Sequence, residues 1–188
     1  ALREALARAT MEGHNQNAPM AGLPALREQL ALQLQSHRGI TCDPETEITV
    51  VPGATEGIFC AVMACVRPGD EVIVLDPCSD SYAPSIKLAG GSAVHVPLQP
   101  GSFSPDWQQV GDAISPRTRM IMINSPHNPT GITLAGEDLD ELERLTLAHD
   151  LLVCSDEVYE HLVFDGQEHH SVLQWPGLRE RSFVHYSF

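Results

Sequence analysis

The sequence MIMINSPHNPTG, residues 120–131, joins a short apolar run to a polar turn that contains two prolines and a glycine. An apolar run of this length, closed by turn residues, predicts a buried strand over Met120–Ile123. The stretch from about Leu134 to His149 predicts a long helix, and Leu151–Cys154 predicts a second strand. A strand, a helix and another strand in this order are typical of parallel strands joined by a crossover helix.

The same alternation extends outward in both directions along the chain. Further strands are predicted at Glu47–Val51, Glu71–Leu75, Ala93–Val96 and Ser182–Phe188. Further helices are predicted at Ala1–Glu12, Pro24–His37, Ala54–Val66, Ala83–Leu88 and Pro105–Ile114. The pattern predicts an α/β fold, a three-layer α/β/α sandwich with a mostly parallel sheet. Because the first helix has no start signal and the last strand has no tail, we expect a domain that is truncated at both ends.

The composition argues against several classes of function. Apolar residues make up 43% of the 188 residues, enough for a core, so disorder is not expected. Acidic side chains number 25 against 11 basic ones, a net charge of −14, whereas nucleic acids and anionic membranes require a basic surface. No apolar run reaches the length of a membrane span. We therefore expect no nucleic-acid partner and no membrane partner.

Cysteine, histidine and lysine give further expectations. The five cysteines are odd in number, and none forms a C-x-x-C pair. Because their spacings suit neither a zinc site nor a disulfide framework, we expect buried, reduced thiols, a cytoplasmic protein and no metal ligands. The adjacent His169 and His170 lack the spacing of a metal site and are expected in a solvated loop. Lys87 is the only lysine and is expected on a helix surface.

Ligands of open α/β sheets bind beyond the carboxyl ends of the strands, so the residues that follow each strand are the candidate site. Gly53, Ala54 and Thr55 follow one predicted strand and open a helix, where backbone N–H groups and the helix dipole favour an anion. Asn128 lies in the rigid turn that follows Met120–Ile123.

Polar residues also follow the later strands. Asp156 comes just after Leu151–Cys154 and is a candidate partner for a ligand cation, and Tyr159 lies three residues further on. Ser187, in the last predicted strand, is a candidate anion donor. Each feature has an ordinary alternative: a helix start, a plain turn, a helix N-cap at Asp156, or a strand-end serine. Together they suit a phosphorylated, cationic, aromatic ligand that carries a phenolic oxygen.

The order and spacing of these motifs are similar to those of a known enzyme family. The chain resembles the class I, fold-type I aminotransferases that depend on pyridoxal phosphate (PLP), nearest the methionine and kynurenine aminotransferase branch. The motifs that carry the resemblance are Asn15-Gln16 to Met20, Gly22, Leu26-Arg27-Glu28, Gly53-Ala54-Thr55-Glu56, Arg67 to Val72, Asp76-Pro77, Asp80-Ser81-Tyr82, Pro126 to Gly131 and Ser155 to Tyr159. The resemblance implies PLP as the cofactor, an amino acid and a 2-oxo acid as substrates, and a homodimer.

The resemblance also implies roles for individual residues. The implied cofactor-binding residues are Gly53, Ala54, Thr55, Ser79, Asn128, Asp156, Tyr159 and Ser187. The helix start and Ser187 would bind the PLP phosphate. Asp156 would keep the pyridine nitrogen protonated, so that the ring accepts electrons from the substrate α-carbon. Asn128 and Tyr159 would hydrogen-bond the phenolic oxygen.

Three features depart from the family pattern. Ser79 stands where the branch has an aromatic that stacks on the cofactor ring, and Asn17 stands where it has a tyrosine that reaches the neighbouring subunit's phosphate site. The Schiff-base lysine is expected just after Phe188, and a C-terminal small domain is absent. We therefore expect residues 1–188 to be a partial PLP-binding large domain that holds no catalytic residue and has no activity by itself. A non-catalytic descendant of the fold and a PLP-dependent carbon–sulfur lyase remain alternatives.

Overall fold

The computed structural model describes residues 1–187, which fall into two compact units. The first unit is Ala1–Val51, and the second begins at Pro52. The first unit contains helices α1 (Leu2–Met11) and α2 (Pro24–Arg38), each within one residue of its predicted ends. In the described part of the chain, no helix has the length and apolar character that a membrane span needs.

The strand predicted at Glu47–Val51 is wrong. A turn begins this segment instead, and the Glu47 N–H donates to Asp43 O over 2.9 Å. The Val50 N–H donates to Ala21 O at 3.0 Å, and residues 1–187 contain no strand here. β-Branched residues favour a strand only where a neighbouring strand offers a ladder of hydrogen bonds, and this segment has no such neighbour.

The second unit alternates helices and strands as predicted. Its strands are β1 (Glu71–Asp76), β2 (Ser92–Pro97), β3 (Thr118–Asn124), β4 (Leu152–Asp156) and β5 (Ser182–His185). Its helices are α3 (Ala54–Cys65), α4 (Tyr82–Leu88), α5 (Trp107–Asp112), α6 (Gly136–His149) and α7 (Pro176–Arg179), with a short 3₁₀ turn at Val172–Gln174. The last strand ends three residues before its predicted end at Phe188, and Phe188 itself lies outside the described residues.

The five strands form one sheet in the order β2-β1-β3-β4-β5, and every pairing between them is parallel. Both faces of the sheet are covered. One face packs on α3 and α4 through residues such as Ile58, Val62 and Ile86. The other packs on α5, α6 and α7 through residues such as Val110 and Leu142. This is the predicted three-layer sandwich, and it explains why the central strands are apolar at nearly every position.

Alternation along each strand assigns its residues to the two faces. In β1, Val72 and Val74 face α3 and α4, whereas Ile73 and Leu75 face the other layer. All four are buried. Because all strands run the same way, their carboxyl ends share one edge of the sheet, and the polar residues that follow them are brought together there.

Candidate functional site

A cavity of about 180 Å³ opens at the carboxyl ends of β3 and β4. Its walls come from the start of α3, the loop between β1 and α4, and the segments that follow β3 and β4. The lining residues are Ala54, Thr55, Ile58, Ser79, Ser81, Asn124, Asn128, Asp156, Val158 and Tyr159. The structure thus brings together six of the residues that the sequence singled out, namely Ala54, Thr55, Ser79, Asn128, Asp156 and Tyr159.

The start of α3 forms the wall that suits an anion. Gly53 precedes the helix with a φ of 92°, a backbone conformation that favours glycine. The N–H groups of Glu56 and Gly57 donate back to Gly53 O at 3.2 and 3.3 Å. The N–H groups of Ala54 and Thr55 come before these first helical hydrogen bonds, so they are the ones a ligand can use. The positive end of the helix dipole lies at the same place.

Asn124 holds the turn that follows β3. Its Nδ2 donates to the backbone oxygens of Asp156 and Pro126 at 2.8 and 3.1 Å. Its Oδ1 accepts a 2.8 Å hydrogen bond from the Asn128 N–H. These bonds fix Asn128, whose Nδ2 lies 3.4 Å from the Tyr159 hydroxyl. The sequence alone did not single out Asn124, although it is the first polar residue after the apolar run of β3.

Asp156 is the last residue of β4, and its Oδ2 accepts a 2.7 Å hydrogen bond from the Tyr82 hydroxyl. Burial raises the pKa of Asp156, while the bonds from Tyr82 and the Val158 N–H act in the opposite direction. Tyr82 is itself buried, and its burial and the charge on Asp156 raise the pKa of the phenol. The phenol is therefore a hydrogen-bond donor at neutral pH. Its contact with Asp156 joins residues 74 positions apart, so the sequence gives no local signal for it.

Glu157, the next residue, faces the opposite side of the sheet and is 1% exposed. Its carboxylate accepts hydrogen bonds of 2.9 to 3.1 Å from Ser155 Oγ, the Val172 N–H, His169 Nε2 and the Tyr186 hydroxyl. The prediction of a solvated loop at His169 is therefore wrong, because this ring is buried against Glu157. These donors satisfy the carboxylate and leave it little capacity for a ligand.

The two loops that face the cavity are joined by His127. Its Nε2 lies 2.9 Å from Pro77 O, and its Nδ1 lies 2.7 Å from Thr130 Oγ1. Since a carbonyl oxygen only accepts, Nε2 carries the hydrogen and Nδ1 accepts from the threonine. Burial lowers the pKa of His127, which favours the neutral ring, while the hydrogen bond to Pro77 acts in the opposite direction. In the same loop the Ser79 and Ser81 hydroxyls lie 2.9 Å apart, and together they form a small polar wall.

The remaining predicted residues lie outside the cavity lining. Ser187 follows β5 and is exposed, and Asn17 is exposed in the first unit. Lys87 is exposed in the last turn of α4. Because α4 runs back toward the amino end of β2, Lys87 lies away from the carboxyl edge that holds the cavity.

Comparison with known proteins places this geometry in a family. The family model for aminotransferases of classes I and II matches residues 1–188. The chain belongs to the class I and II aminotransferases. The five-stranded parallel sheet with its two helical layers is thus the α/β fold of the PLP-dependent aminotransferases, as the sequence predicted.

Individual relatives agree with this assignment. The chain is 46% identical over 187 residues to the methionine aminotransferase of Escherichia coli (strain K12), which covers 100% of the chain and 48% of that protein. It is 44% identical over 174 residues to a probable N-succinyldiaminopimelate aminotransferase of Mycobacterium tuberculosis, covering 92% of the chain and 44% of that protein.

Solved structures match equally well. The structure of YbdL from Escherichia coli, identified as a methionine aminotransferase, superposes with a TM-score of 0.97 at 45% identity, over 100% of this chain and 50% of that one. The N-succinyldiaminopimelate aminotransferase structure from Mycobacterium tuberculosis gives 0.95 at 42% identity, over 98% and 48%. The chain spans about half the length of the relatives it matches.

Proposed function

We propose that the protein is a PLP-dependent aminotransferase that moves an amino group between an amino acid and a 2-oxo acid. One observation carries the proposal: Asp156, the Asn128–Tyr159 pair and the start of α3 line a single cavity. The family match and the aminotransferase relatives support it.

The donor set of the cavity fits PLP at three points. The N–H groups of Ala54 and Thr55 suit its phosphate. Asn128 Nδ2 and the Tyr159 hydroxyl are donors that suit its phenolic oxygen. Among the residues that the structure describes, Asp156 supplies the one cavity-lining carboxylate, which suits a protonated pyridine nitrogen. When bound, PLP supplies an electron sink for the electron pair left at the substrate α-carbon.

The two oxygens of Asp156 have different surroundings, and this difference suggests how the residue works. Oδ2 accepts the short bond from Tyr82, whereas Oδ1 accepts a 3.4 Å contact from the Val158 N–H. We infer that Tyr82 orients the carboxylate and that Oδ1 would be the oxygen available to accept from a bound pyridinium N–H. A half-buried carboxylate keeps its charge most easily beside a cation, so pairing would offset the cost of its burial.

We further propose a homodimer in the cytoplasm. Large apolar side chains are exposed on the first unit, among them Leu2, Met11 and Met20, and a partner subunit would cover them. Within residues 1–187 the cysteines form no disulfide, which fits a reducing compartment. The predicted burial holds for Cys154 and is wrong for Cys60, which is exposed. Sedimentation of the complete protein tests the dimer, and a monomer at micromolar concentration would contradict it.

Equilibrium dialysis against PLP tests the cofactor site. We expect saturable binding to the wild-type chain and weaker binding to Asp156→Asn, because an amide does not neutralise a pyridinium. Asp165→Asn is the matched control, since Asp165 is exposed in a loop and the same substitution there should change nothing. Equal affinity in all three proteins would contradict the assigned site, and no binding at all would favour a non-catalytic descendant.

The position of Lys87 leads to a further prediction for the 188-residue chain. With PLP and borohydride, we expect no saturable reductive labelling of Lys87 and no transamination, because the only lysine lies away from the cavity. Peptide mass mapping measures the labelling. Stoichiometric modification of Lys87 together with amino transfer would overturn this expectation.

A further inference from the structure

Three metal-ligating side chains converge at the edge of the sheet, next to the cavity but outside its lining. They are Asp76 at the end of β1, Cys78 in the following loop and His95 on the edge strand β2. One ligand atom from each lies within 4.8 Å of the others. Within residues 1–187 this is the one group of three such donors that converges.

The sheet itself creates this convergence. His95 pairs with Val74 in the β1–β2 ladder, and Asp76 lies two residues beyond Val74 on the same face. His95 Nδ1 is consequently 2.8 Å from Asp76 Oδ2. Cys78 follows after one proline, and its Sγ lies within 4.8 Å of an Asp76 carboxylate oxygen. The separation of Cys78 and His95 in sequence hides the trio, so the cysteine spacings predicted no metal site.

The chemistry of the three donors is that of a zinc site. Thiolate sulfur, imidazole nitrogen and carboxylate oxygen are the three ligand types that Zn²⁺ takes from proteins, and three protein ligands leave a fourth position for water. A mixed sulfur and nitrogen set selects against Mg²⁺ and Ca²⁺, which prefer oxygen. We propose that Asp76, Cys78 and His95 form a binding site for Zn²⁺.

The partial exposure of the trio suits a metal that exchanges with solvent. Asp76 and Cys78 are half-buried and His95 is exposed, so an ion can enter without rearrangement of the core. On binding, the Cys78 thiol releases its proton to solvent, and the hydrogen that His95 Nδ1 donates to Asp76 is replaced by one on Nε2, so that Nδ1 is free to bind the ion. The ion would tie the loop that carries the cavity residues Ser79 and Ser81 to the edge strand.

Cobalt is the probe, because Co²⁺ replaces Zn²⁺ in such sites and absorbs light. Titration of the reduced protein without PLP should give one equivalent of a near-ultraviolet thiolate-to-metal band and intense visible bands of a four-coordinate ion, which one equivalent of Zn²⁺ removes. Cys78→Ser should abolish the near-ultraviolet band. His95→Gln and Asp76→Asn should weaken binding at least about tenfold each.

Matched controls separate this site from other thiols and imidazoles. Cys60→Ser and His149→Gln change exposed residues outside the trio and should leave the titration unchanged. His95→Gln alters an exposed side chain of an edge strand, so it should fold even if Cys78→Ser does not. The proposal is overturned if no thiolate band forms, or if the band survives Cys78→Ser or is unaffected by His95→Gln. Because PLP is absent, these outcomes are independent of the proposed aminotransferase activity.

Discussion

Asp156 and Glu157 are adjacent in sequence, yet they lie in two very different regions of the molecule. Asp156 lines the cavity and accepts one short hydrogen bond, from Tyr82. Glu157 lies in a closed region on the other face, where its carboxylate accepts bonds from Ser155, Val172, His169 and Tyr186. A carboxylate accepts about four hydrogen bonds, so Glu157 is nearly saturated and Asp156 is not.

This difference separates an acid that can still accept hydrogen bonds from a ligand from one whose acceptors are already occupied. Glu157 is buried and Asp156 is half-buried, so burial by itself would mark Glu157 more strongly. The hydrogen-bonding capacity that remains at Asp156 is what a cationic ligand would use. Substitutions in the two regions should therefore have separable consequences, on activity around the cavity and on stability in the closed region.

Asp156→Asn should give the largest effect. In the complete protein we expect turnover to fall by about three orders of magnitude, roughly 4 kcal/mol, because the amide does not hold a charged pyridine ring. The unfolding midpoint should change little, since the amide still accepts from Tyr82. Steady-state amino transfer measures the turnover, and a thermal melt measures the unfolding midpoint. Wild-type turnover in this variant would mean that another group holds the ring nitrogen.

His185 predicts an acid-induced loss of stability. It lies opposite Asp156 in the β4–β5 ladder, and burial lowers its pKa to about 4, opposed by the charge of Glu157. The unfolded chain binds a proton near pH 6.5, whereas the folded chain binds it only near pH 4. The free energy of unfolding should therefore fall as the pH drops through this window, by up to about 3 kcal/mol.

Urea denaturation at several pH values between 4 and 7 measures this effect. His185→Gln does not titrate there, so its stability should depend less on pH than that of the wild type. His149→Gln, an exposed change, is the control and should keep the wild-type slope. If His185→Gln keeps that slope as well, another group is responsible for the acid sensitivity.

Glu157→Gln should affect stability rather than chemistry. The amide keeps one accepting oxygen but turns an NH₂ group toward two of the buried donors, at a cost of about 2 kcal/mol in the free energy of unfolding. At a temperature where the variant remains folded, PLP affinity should match the wild type. A loss of PLP binding equal to that of Asp156→Asn would break the distinction between the two carboxylates.

Ser79→Tyr should give the smallest effect, a modest increase in the affinity of the cavity for PLP. Ser79 and Ser81 leave this wall without an aromatic ring, so a tyrosine at position 79 should tighten PLP by about 1 kcal/mol, roughly fivefold. Dialysis measures the affinity. Ser102→Tyr, on an exposed turn, is the control and should have no effect. Unchanged affinity in Ser79→Tyr would show that another group covers the ring face.

The sequence predicted the second unit well because short local patterns specify its strands and turns. Apolar runs such as Met120–Ile123 end at turn residues, and parallel strands bring their carboxyl ends to one edge, so the cavity residues could be anticipated. The first unit shows the limit of such prediction. Glu47–Val51 has the composition of a strand, but within residues 1–187 no neighbouring strand pairs with it.

Sequence patterns could not predict the contacts between residues far apart in the chain. Tyr82 reaches Asp156 across 74 residues, and no periodicity links them. His169 has polar, exposed neighbours in sequence, which favoured a solvated loop, but its ring is buried in contact with the Glu157 carboxylate. In both cases a carboxylate at the end of β4 accepts hydrogen bonds from other segments, and only the folded chain shows which segments those are.

The alternation of β4 also constrains how this chain can change over evolution. Asp156 and Glu157 reach opposite faces because consecutive residues of a strand do so. Loss of one residue between Leu152 and Asp156 would reverse the parity of the strand. It would place Asp156 in the closed region and Glu157 at the cavity. Each carboxylate would then lie among the hydrogen-bonding groups that now surround the other. Length changes in this lineage should therefore accumulate in the loops, while the residue count of β4 stays fixed even where its side chains drift.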